Sequence, residues 1–418
     1  MKRILFIAPH SFPIHSSESI CNAKVAYLLT EIGYAVDVIT IDDGASYPNT
    51  EDTQIFLKNN TCLSVYSVID KRSKNRFLSH IKSVLVHLLA FLKTGYYYKG
   101  VNFSYLALNK AQDLICKNGI DSYVAMISRG YRTEVAALFL KKKYGIRWIA
   151  NWNDPYPIEK FPAPYGEGIH ASLTTSMNRI LDDIQRYADI HTFPSSRLRD
   201  YMMKYMTNVR VENTRVIPHL AHSILSPQKK DNSSDILVLV HAGNVTHPRN
   251  PTFFLQALSN YIHSVESPKV LCYFIGKVPS DFNTVTEDLD IVDYVKYLPP
   301  QNYFNTLQYI RKSDVSVIIE AACEEGIYLP TKVVDSFQCG KPIFCVSPTI
   351  GTLRDLNNNM RVGYCADNDN VDSITKAIFS MCNDFQNDNL PVITKDKVDY
   401  FFEDSVGKQY LHMLRNER

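Results

Sequence analysis

The chain has 418 residues, 45% hydrophobic and 21% charged, which is long enough for two domains with full cores and excludes a disordered or fibrous protein. The net charge is only +2 but is unevenly spread: residues 1–225 carry 27 Lys+Arg against 19 Asp+Glu, and residues 226–418 carry 18 against 24, so a boundary is expected near 225. Nine scattered cysteines with no CxxC pair, Cys339 and Cys345 being the closest, exclude a disulfide framework or zinc site and point to reduced thiols in a cytoplasm.

Met1-Lys2-Arg3 leads straight into an apolar strand, Arg3 to Ala8, so no secretory signal is expected. A polar loop follows, and its His10, His15, Ser16 and Ser17 lie where open parallel sheets place ligands; solvated loop side chains fit the same pattern. A helix over Ile20 to Ile32, Gly33 as its stop and a strand from Val36 to Ile41 complete one βαβ unit, hence a parallel sheet. No GxGxxG is present.

Residues 71–110 hold Lys71, Arg72, Lys74, Arg76, Lys82, Lys93, Lys99 and Lys110 with no acidic residue before Asp113. Within them, Phe77 to Lys93 reads as an apolar helix with a basic collar, followed by Tyr96, Tyr97 and Tyr98. Basic flank, apolar face and aromatic end suit a helix lying on an anionic membrane surface; a core helix with solvated flanks is the alternative. No ladder of basic and aromatic residues points to nucleic acid. No stretch reaches the roughly 18 apolar residues of a membrane span.

Further strands are expected at Asp121 to Ser128 and Arg147 to Asn151, with a helix over Thr133 to Tyr144 between them. Asp154, in Asn153-Asp154-Pro155, lies at the C-terminal edge of the second strand, either as a site carboxylate or as an Asp-Pro turn starter. A Pro- and Gly-rich loop follows from Tyr156 to Gly168. Helices come next near Ser176 to Ala188 and Ser195 to Met206, with strands at Ile190 to Phe193 and Val216 to Pro218 and a solvated linker over Ser226 to Ser234. The alternation then restarts: a strand at Ile236 to His241, the turn Ala242-Gly243-Asn244, a helix over Pro251 to Tyr261, strands at Val270 to Ile275 and Val295 to Leu298, a helix over Gln301 to Arg311 and a strand in Asp314 to Glu320. Glu324 to Phe344 reads as a loop, a helix opened by Pro330 and stopped by Gly340, and a core strand. Lys332 places a cation in the first helical turn, unfavourable for the helix alone by roughly 0.3–1 kcal/mol, so an anionic partner accounts for it. Asp335 can accept two hydrogen bonds, as a ribose diol offers. A solvated Lys and Asp fit the local pattern equally well. Val371 to Cys382 and Tyr400 to Leu414 close the chain as helices.

Pro330-x-Lys332-x-x-Asp335 followed by Cys339-Gly-Lys-Pro-Ile343 resembles the donor-site signature of GT-B glycosyltransferases of family 4 (group 1), and Ala242-Gly243-Asn244 with Arg249-Asn-Pro251 resembles the opening of their C-terminal domain. Val216-Ile-Pro-His219-Leu220 is similar to the family's V-I-P-N-G crossover segment. The resemblance implies an α/β GT-B fold of two Rossmann-like domains facing a cleft. Residues 1–225 would be the acceptor side, 226–399 the nucleotide-sugar-binding domain and 400–418 a helix returning to the first domain. It implies that Lys332 and Arg249 meet the donor diphosphate and Asp335 the ribose, with Gly243, Asn244, Glu325, Gly326 and Thr331 as further donor-side residues. Asp154, Arg249 and Lys332 are then the catalytic set, with His10, Ser16 and Ser17 on the acceptor side.

This chain has Asp335 where the family usually has Glu, Ile327 where it often has another Glu, Ser16-Ser17 in place of loop glycines, and Glu134 where relatives often have His. Asp288-x-Asp290 and Asp367-x-Asp369 match the metal signature of a different fold, and no metal or other cofactor is expected. The function implied is retaining transfer from a UDP- or GDP-sugar to a lipid-linked or glycan acceptor. Bacterial surface polysaccharide or lipopolysaccharide assembly, on the inner face of the cell membrane, would be its setting. A nucleotide-sugar 2-epimerase or a non-catalytic nucleotide-sugar-binding scaffold of the same fold are the alternatives.

Overall fold

The computed structural model describes residues 1–42, 51–69, 76–98, 101–130, 132–225 and 235–415. The expected linker at 226–234 and the side chains of Lys71, Arg72, Lys74, Arg76, Lys82 and Lys99 lie outside the described residues. The chain divides into two units, one of Met1–Pro162, Gly166–Pro218 and Val406–Arg418, the other of Ala163–Tyr165 and His219–Ser405.

The first unit runs β1 (Arg3–Ile7), α1 (Ser17–Glu31), β2 (Ala35–Asp42), α2 (Glu51–Leu57), β3 (Leu63–Ile69), α3 (Arg76–Thr94), α4 (Val101–Asn118), β4 (Tyr123–Arg129), α5 (Glu134–Tyr144), β5 (Trp148–Asn151), α6 (Thr175–Tyr187), β6 (Ile190–Phe193), α7 (Ser196–Met203) and β7 (Thr214–Val216). Among the described residues its sheet has seven parallel strands in the order β3-β2-β1-β4-β5-β6-β7. Ile4 to Ile7 are fully buried because helices cover both faces of such a sheet. The buried Asp37 is tolerated because Arg3 and Tyr123 both donate to it, at 2.7 Å each.

The second unit runs β8 (Leu237–Ala242), α8 (Thr252–Ser264), β9 (Val270–Ile275), α9 (Phe282–Asp288), β10 (Val295–Leu298), α10 (Tyr303–Lys312), β11 (Val315–Ile319), α11 (Thr331–Gln338), β12 (Ile343–Ser347), α12 (Thr352–Met360), β13 (Gly363–Asp367), α13 (Val371–Gln386) and α14 (Glu403–Arg415), the last from Val406 on belonging to the first unit. Its parallel sheet is ordered β10-β9-β8-β11-β12-β13. Val317, Ile319, Phe344 and Val346 enter one core cluster, while Ile318, Ile343 and Cys345 enter another. That period-two alternation is what a sheet buried on both faces requires.

In each sheet the strand order reverses beside the first strand, between β1 and β4 and between β8 and β11. Ligands of open α/β sheets bind outside the strand C-termini at such a reversal.

The strand β3 and the helix α4 are absent from the sequence reading, as are the helices α2, α9 and α12. The aromatic end of α3 is also smaller than expected. Tyr96 and Tyr98 are buried, the first hydrogen-bonded to Asp183 and Lys142 and the second to Ser104, and Tyr97 alone of the three is exposed. The apolar face of α3 is nonetheless open. Ile81, Val84, Leu85, Leu88, Phe91 and Leu92 recur at helical spacing and are all exposed. Among the described residues no helix is long and apolar enough to cross a membrane.

Candidate functional site: a cationic pocket in the second unit

Three segments meet at the β8/β11 reversal. The loop after β8 brings Gly243 and Arg249, Glu320 follows the last residue of β11, and α11 begins at Thr331 with Pro330 as its N-cap. Pro330 makes no side-chain cap; its carbonyl accepts from the Val333 amide at 3.1 Å, and no cap side chain takes the other first-turn N–H groups of α11.

Lys332 Nζ lies 2.9 Å from His241 Nε2, and His241 Nδ1 lies 3.1 Å from the Val317 carbonyl. Only one tautomer fits: Nδ1–H donates to Val317 and Nε2 accepts from the lysine. Burial, and then the Lys332 charge, hold His241 neutral, well below its ordinary pKa. Burial also pushes Lys332 down to about 7, with the nearby Arg249 charge adding to it. Two cations thus share one spot, an arrangement that an anion relieves.

Glycines make the approach possible. A Cβ at Gly243 would lie 2.9 Å from Lys332 Cε, and one at Gly276 would lie 2.7 Å from the Gly243 carbonyl carbon. Gly243 also sits at φ +110°, a conformation L side chains rarely adopt.

The other donor-side residues fall into two groups. Thr331 opens α11, and Asp335, one turn on, accepts a hydrogen bond from the Tyr303 hydroxyl. Asn244 uses its Oδ1 to accept from the Lys277 amide at 2.9 Å. Gly326 is buried with both backbone groups engaged, its N–H on Ile350 and its carbonyl on Thr352, in a bridge to Gly351. It therefore shapes the loop and has no free amide to offer. Glu325 is half-buried, with its carbonyl accepting from the Cys323 thiol. Ile327 is a core residue, 1% exposed. In the second acidic triplet Asp367 is held by Arg354 at 2.6 Å.

The first unit gathers a separate set at the β1/β4 reversal. Ser16 is the N-cap of α1, accepting from the Ser19 amide at 3.1 Å, so its hydroxyl is occupied by the capping box. Ser17 is the exposed first helical residue. His10 meets His15 edge-on at 5.8 Å, and His15 Nδ1 donates to the Pro13 carbonyl. Asp154 is exposed and acts on Glu18, which the sequence places near the helix start without a site role. Burial, then the Asp154 charge, push Glu18 up to about 7 against the opposing pull of Arg129 and Arg132. A Cβ at Gly130 would lie 2.3 Å from Glu18 Oε1. Arg129 is fixed by Asn22 at 2.6 Å and Tyr410 at 3.3 Å. Glu134 is buried, its carboxyl pushed up to about 8 by desolvation.

His241, Glu320, Glu18 and Glu134 were not expected as site residues. For His241 and Glu320 a signal existed, since each ends an otherwise apolar strand segment, ILVLVH and VSVIIE.

Residues 225–390 match the family described as "Glycosyl transferases group 1". No curated protein sequence matches the chain. Among solved structures it is similar to Anabaena HepE in complex with UDP and glucose, at 13% identity and TM-score 0.65 with both chains fully covered. It is also similar to sucrose-phosphate synthase from Thermosynechococcus elongatus, at 12% identity and TM-score 0.69, covering 99% of this chain and 98% of that one. A third is WaaG, a glycosyltransferase involved in lipopolysaccharide biosynthesis, at 11% identity and TM-score 0.60, covering 99% and 100%. The fold is GT-B, and the family match lies within its second unit.

Proposed function

We propose that this GT-B protein, a group 1 glycosyl transferase by its second unit, moves a sugar from a nucleoside-diphosphate sugar to a lipid-linked acceptor with retention at the anomeric carbon. The observation that carries the reading is the pairing of Lys332 and Arg249 beside the first turn of α11, across from Gly243. When the bond from the sugar C1 to the diphosphate oxygen breaks, negative charge grows on the departing phosphate. Two cations and a helix N-terminus already in place stabilise that charge without reorganisation. Arg249 suits phosphate because its planar fork grips two oxygens. A new C1–O bond forms to the acceptor hydroxyl, whose proton leaves with the diphosphate. Asp335 would take the ribose, and Asp154 with Glu18 the acceptor side.

UDP in the HepE structure and the part of WaaG in lipopolysaccharide biosynthesis favour a UDP-sugar donor and surface-glycan assembly. The open apolar face of α3 favours peripheral docking on the inner leaflet, where a lipid-linked acceptor lies.

The test incubates purified protein with labelled UDP- and GDP-sugars and membrane extract, with and without EDTA. Label transferred to lipid, at a rate that EDTA leaves unchanged, is the expected result. A free epimer would replace transfer with 2-epimerase chemistry, and binding without turnover would mark a scaffold. Lys332→Ala and Arg249→Ala should each slow transfer on the order of 10²–10³-fold; wild-type rates in both would remove the phosphate assignment.

A further inference from the structure

We infer that Glu320 is the sugar-recognition residue of this pocket: its carboxylate accepts hydroxyls of an uncharged hexosyl donor and selects against donors that carry a carboxylate of their own. The inference rests on the nucleotide-sugar reading above and names the class of sugar that the site takes.

Glu320 stands one residue past β11, at the reversal that also presents Arg249 and Lys332. Its backbone is fixed on both sides, the N–H donating to the Val346 carbonyl at 3.0 Å and the carbonyl accepting from Asn368 Nδ2 at 3.1 Å. The side chain therefore has a set origin. The residue is 9% exposed, yet Oε2 has no hydrogen-bond partner among the described residues. Buried polar atoms are almost always paired, and the exceptions call for a reason.

The surroundings keep that oxygen clear. A Cβ at Gly326 would lie 3.2 Å from Glu320 Oε2, and Gly351 packs so tightly on Gly326 that its own Cβ would lie 2.9 Å from the Gly326 carbonyl. A side chain at Gly326 would therefore press on this carboxyl, and one at Gly351 would push Gly326 towards it. Burial pushes Glu320 up to about 7 against the pull of Arg249 and then of Arg354, and Arg354 is already held by Asp367 at 2.6 Å and by the Pro348 and Ser347 carbonyls at 3.0 and 3.1 Å. The other cation acting on it is Arg249, the proposed phosphate ligand, which also hydrogen-bonds Tyr165.

A carboxylate this close to a phosphate site repels the diphosphate. Its presence is compensated when the ligand also brings hydroxyl donors, as a hexose does and a bare nucleotide or an added carboxylate does not. The same unpaired oxygen makes the choice steep, because a ligand without a hydroxyl at that point leaves it unsatisfied.

Calorimetric titration of the full chain tests this with UDP, GDP, UDP-glucose, UDP-galactose, UDP-N-acetylglucosamine, GDP-mannose and UDP-glucuronate. Wild type should bind at least one neutral nucleotide-sugar more tightly than its parent nucleotide, and UDP-glucuronate at least tenfold more weakly than UDP-glucose. Glu320→Gln, nearly isosteric and uncharged, should bind the bare nucleotide at least as tightly as wild type, lose about tenfold for the preferred nucleotide-sugar and narrow the discrimination against UDP-glucuronate. Glu320→Asp, which keeps the charge, should restore part of that discrimination. Equal effects of Glu320→Gln on nucleotide and nucleotide-sugar, or none on either, would overturn the assignment while leaving the donor site standing. No nucleotide binding by wild type, or undiminished binding in Arg249→Ala, would remove the donor site itself and this inference with it. A thermal melt of Glu320→Gln matching wild type separates recognition from folding.

Discussion

On the proposed function the chemistry turns on Lys332, and its protonation makes a measurable claim. Pushed down to about 7 by burial and by Arg249, it is largely neutral in the empty pocket above neutral pH. A bound diphosphate favours the charged form, so binding takes up a proton. Affinity for UDP-glucose, whose diphosphate does not titrate near neutrality, should fall as pH rises above 7, approaching tenfold per unit, and Lys332→Met should flatten that slope while weakening binding throughout. Titration calorimetry in two buffers of different ionisation enthalpy reads the proton directly. Glu134 carries the opposite sign. Its carboxyl rises from about 4.5 to about 8 through burial, so the native state holds a proton that the unfolded chain has released between those values. That contribution is complete below pH 4.5 and is lost as pH rises through 8. Glu134→Gln should therefore melt like wild type in acid and above it at pH 9. Of these residues, Lys332 and Arg249 were legible in the sequence because a cation opening a helix and an Arg beside an Ala-Gly-Asn turn are local anomalies. His241 orients the lysine only through folding, as its partners Val317 and Lys332 are 76 and 91 positions away. Ser16 was legible as polar but not as a cap, because the sequence reading began the helix at Ile20 and Ser19 Oγ accepts from the Ser16 amide at 2.8 Å only when the turn forms.

At the scale of elements, three strands have the bounds the sequence set, Ile190–Phe193, Val270–Ile275 and Val295–Leu298, of which Val270–Ile275 alone is apolar throughout. The strand β3, LSVYSVI, lies at the sheet edge with β2 as its partner, and Ser64 and Ser67 break its apolar run so that neither an alternating nor a continuous apolar signal forms. Helix α3 taught the converse. Its apolar run is real, but of the tyrosines after it only Tyr97 reaches the surface, and Lys93 turns inward to Asn109 at 2.6 Å. What remains for a membrane is the face holding Leu88 and Leu92, 52% and 71% exposed. Leu88→Glu with Leu92→Glu should abolish flotation with vesicles containing phosphatidylglycerol. Because neither side chain packs in the core, the melting transition should stay within about 0.5 kcal/mol of wild type. Undiminished flotation would move membrane contact elsewhere.

On the scale of the whole molecule, the path of the chain matters more than either sheet. The first unit is not a continuous segment: it is closed by residues that follow the entire second unit in sequence. Val406, Tyr410 and Met413 of α14 are at most 2% exposed, Tyr410 reaches Arg129, and Gly407 lets the helix approach α1 so closely that a Cβ there would lie 3.2 Å from Ile32. Burying each of those three side chains is worth roughly 1.5–3 kcal/mol, and together they rival a domain's whole margin of about 5–15 kcal/mol. A chain cut after Ser405 should therefore lose the first unit to limited proteolysis while the second, with its sheet and its own core, survives as a protected fragment. Since Gly243, Arg249, Glu320 and Lys332 all belong to that fragment, it should still bind UDP but transfer no sugar. Loss of UDP binding along with the first unit would show instead that the donor pocket depends on residues outside the second unit.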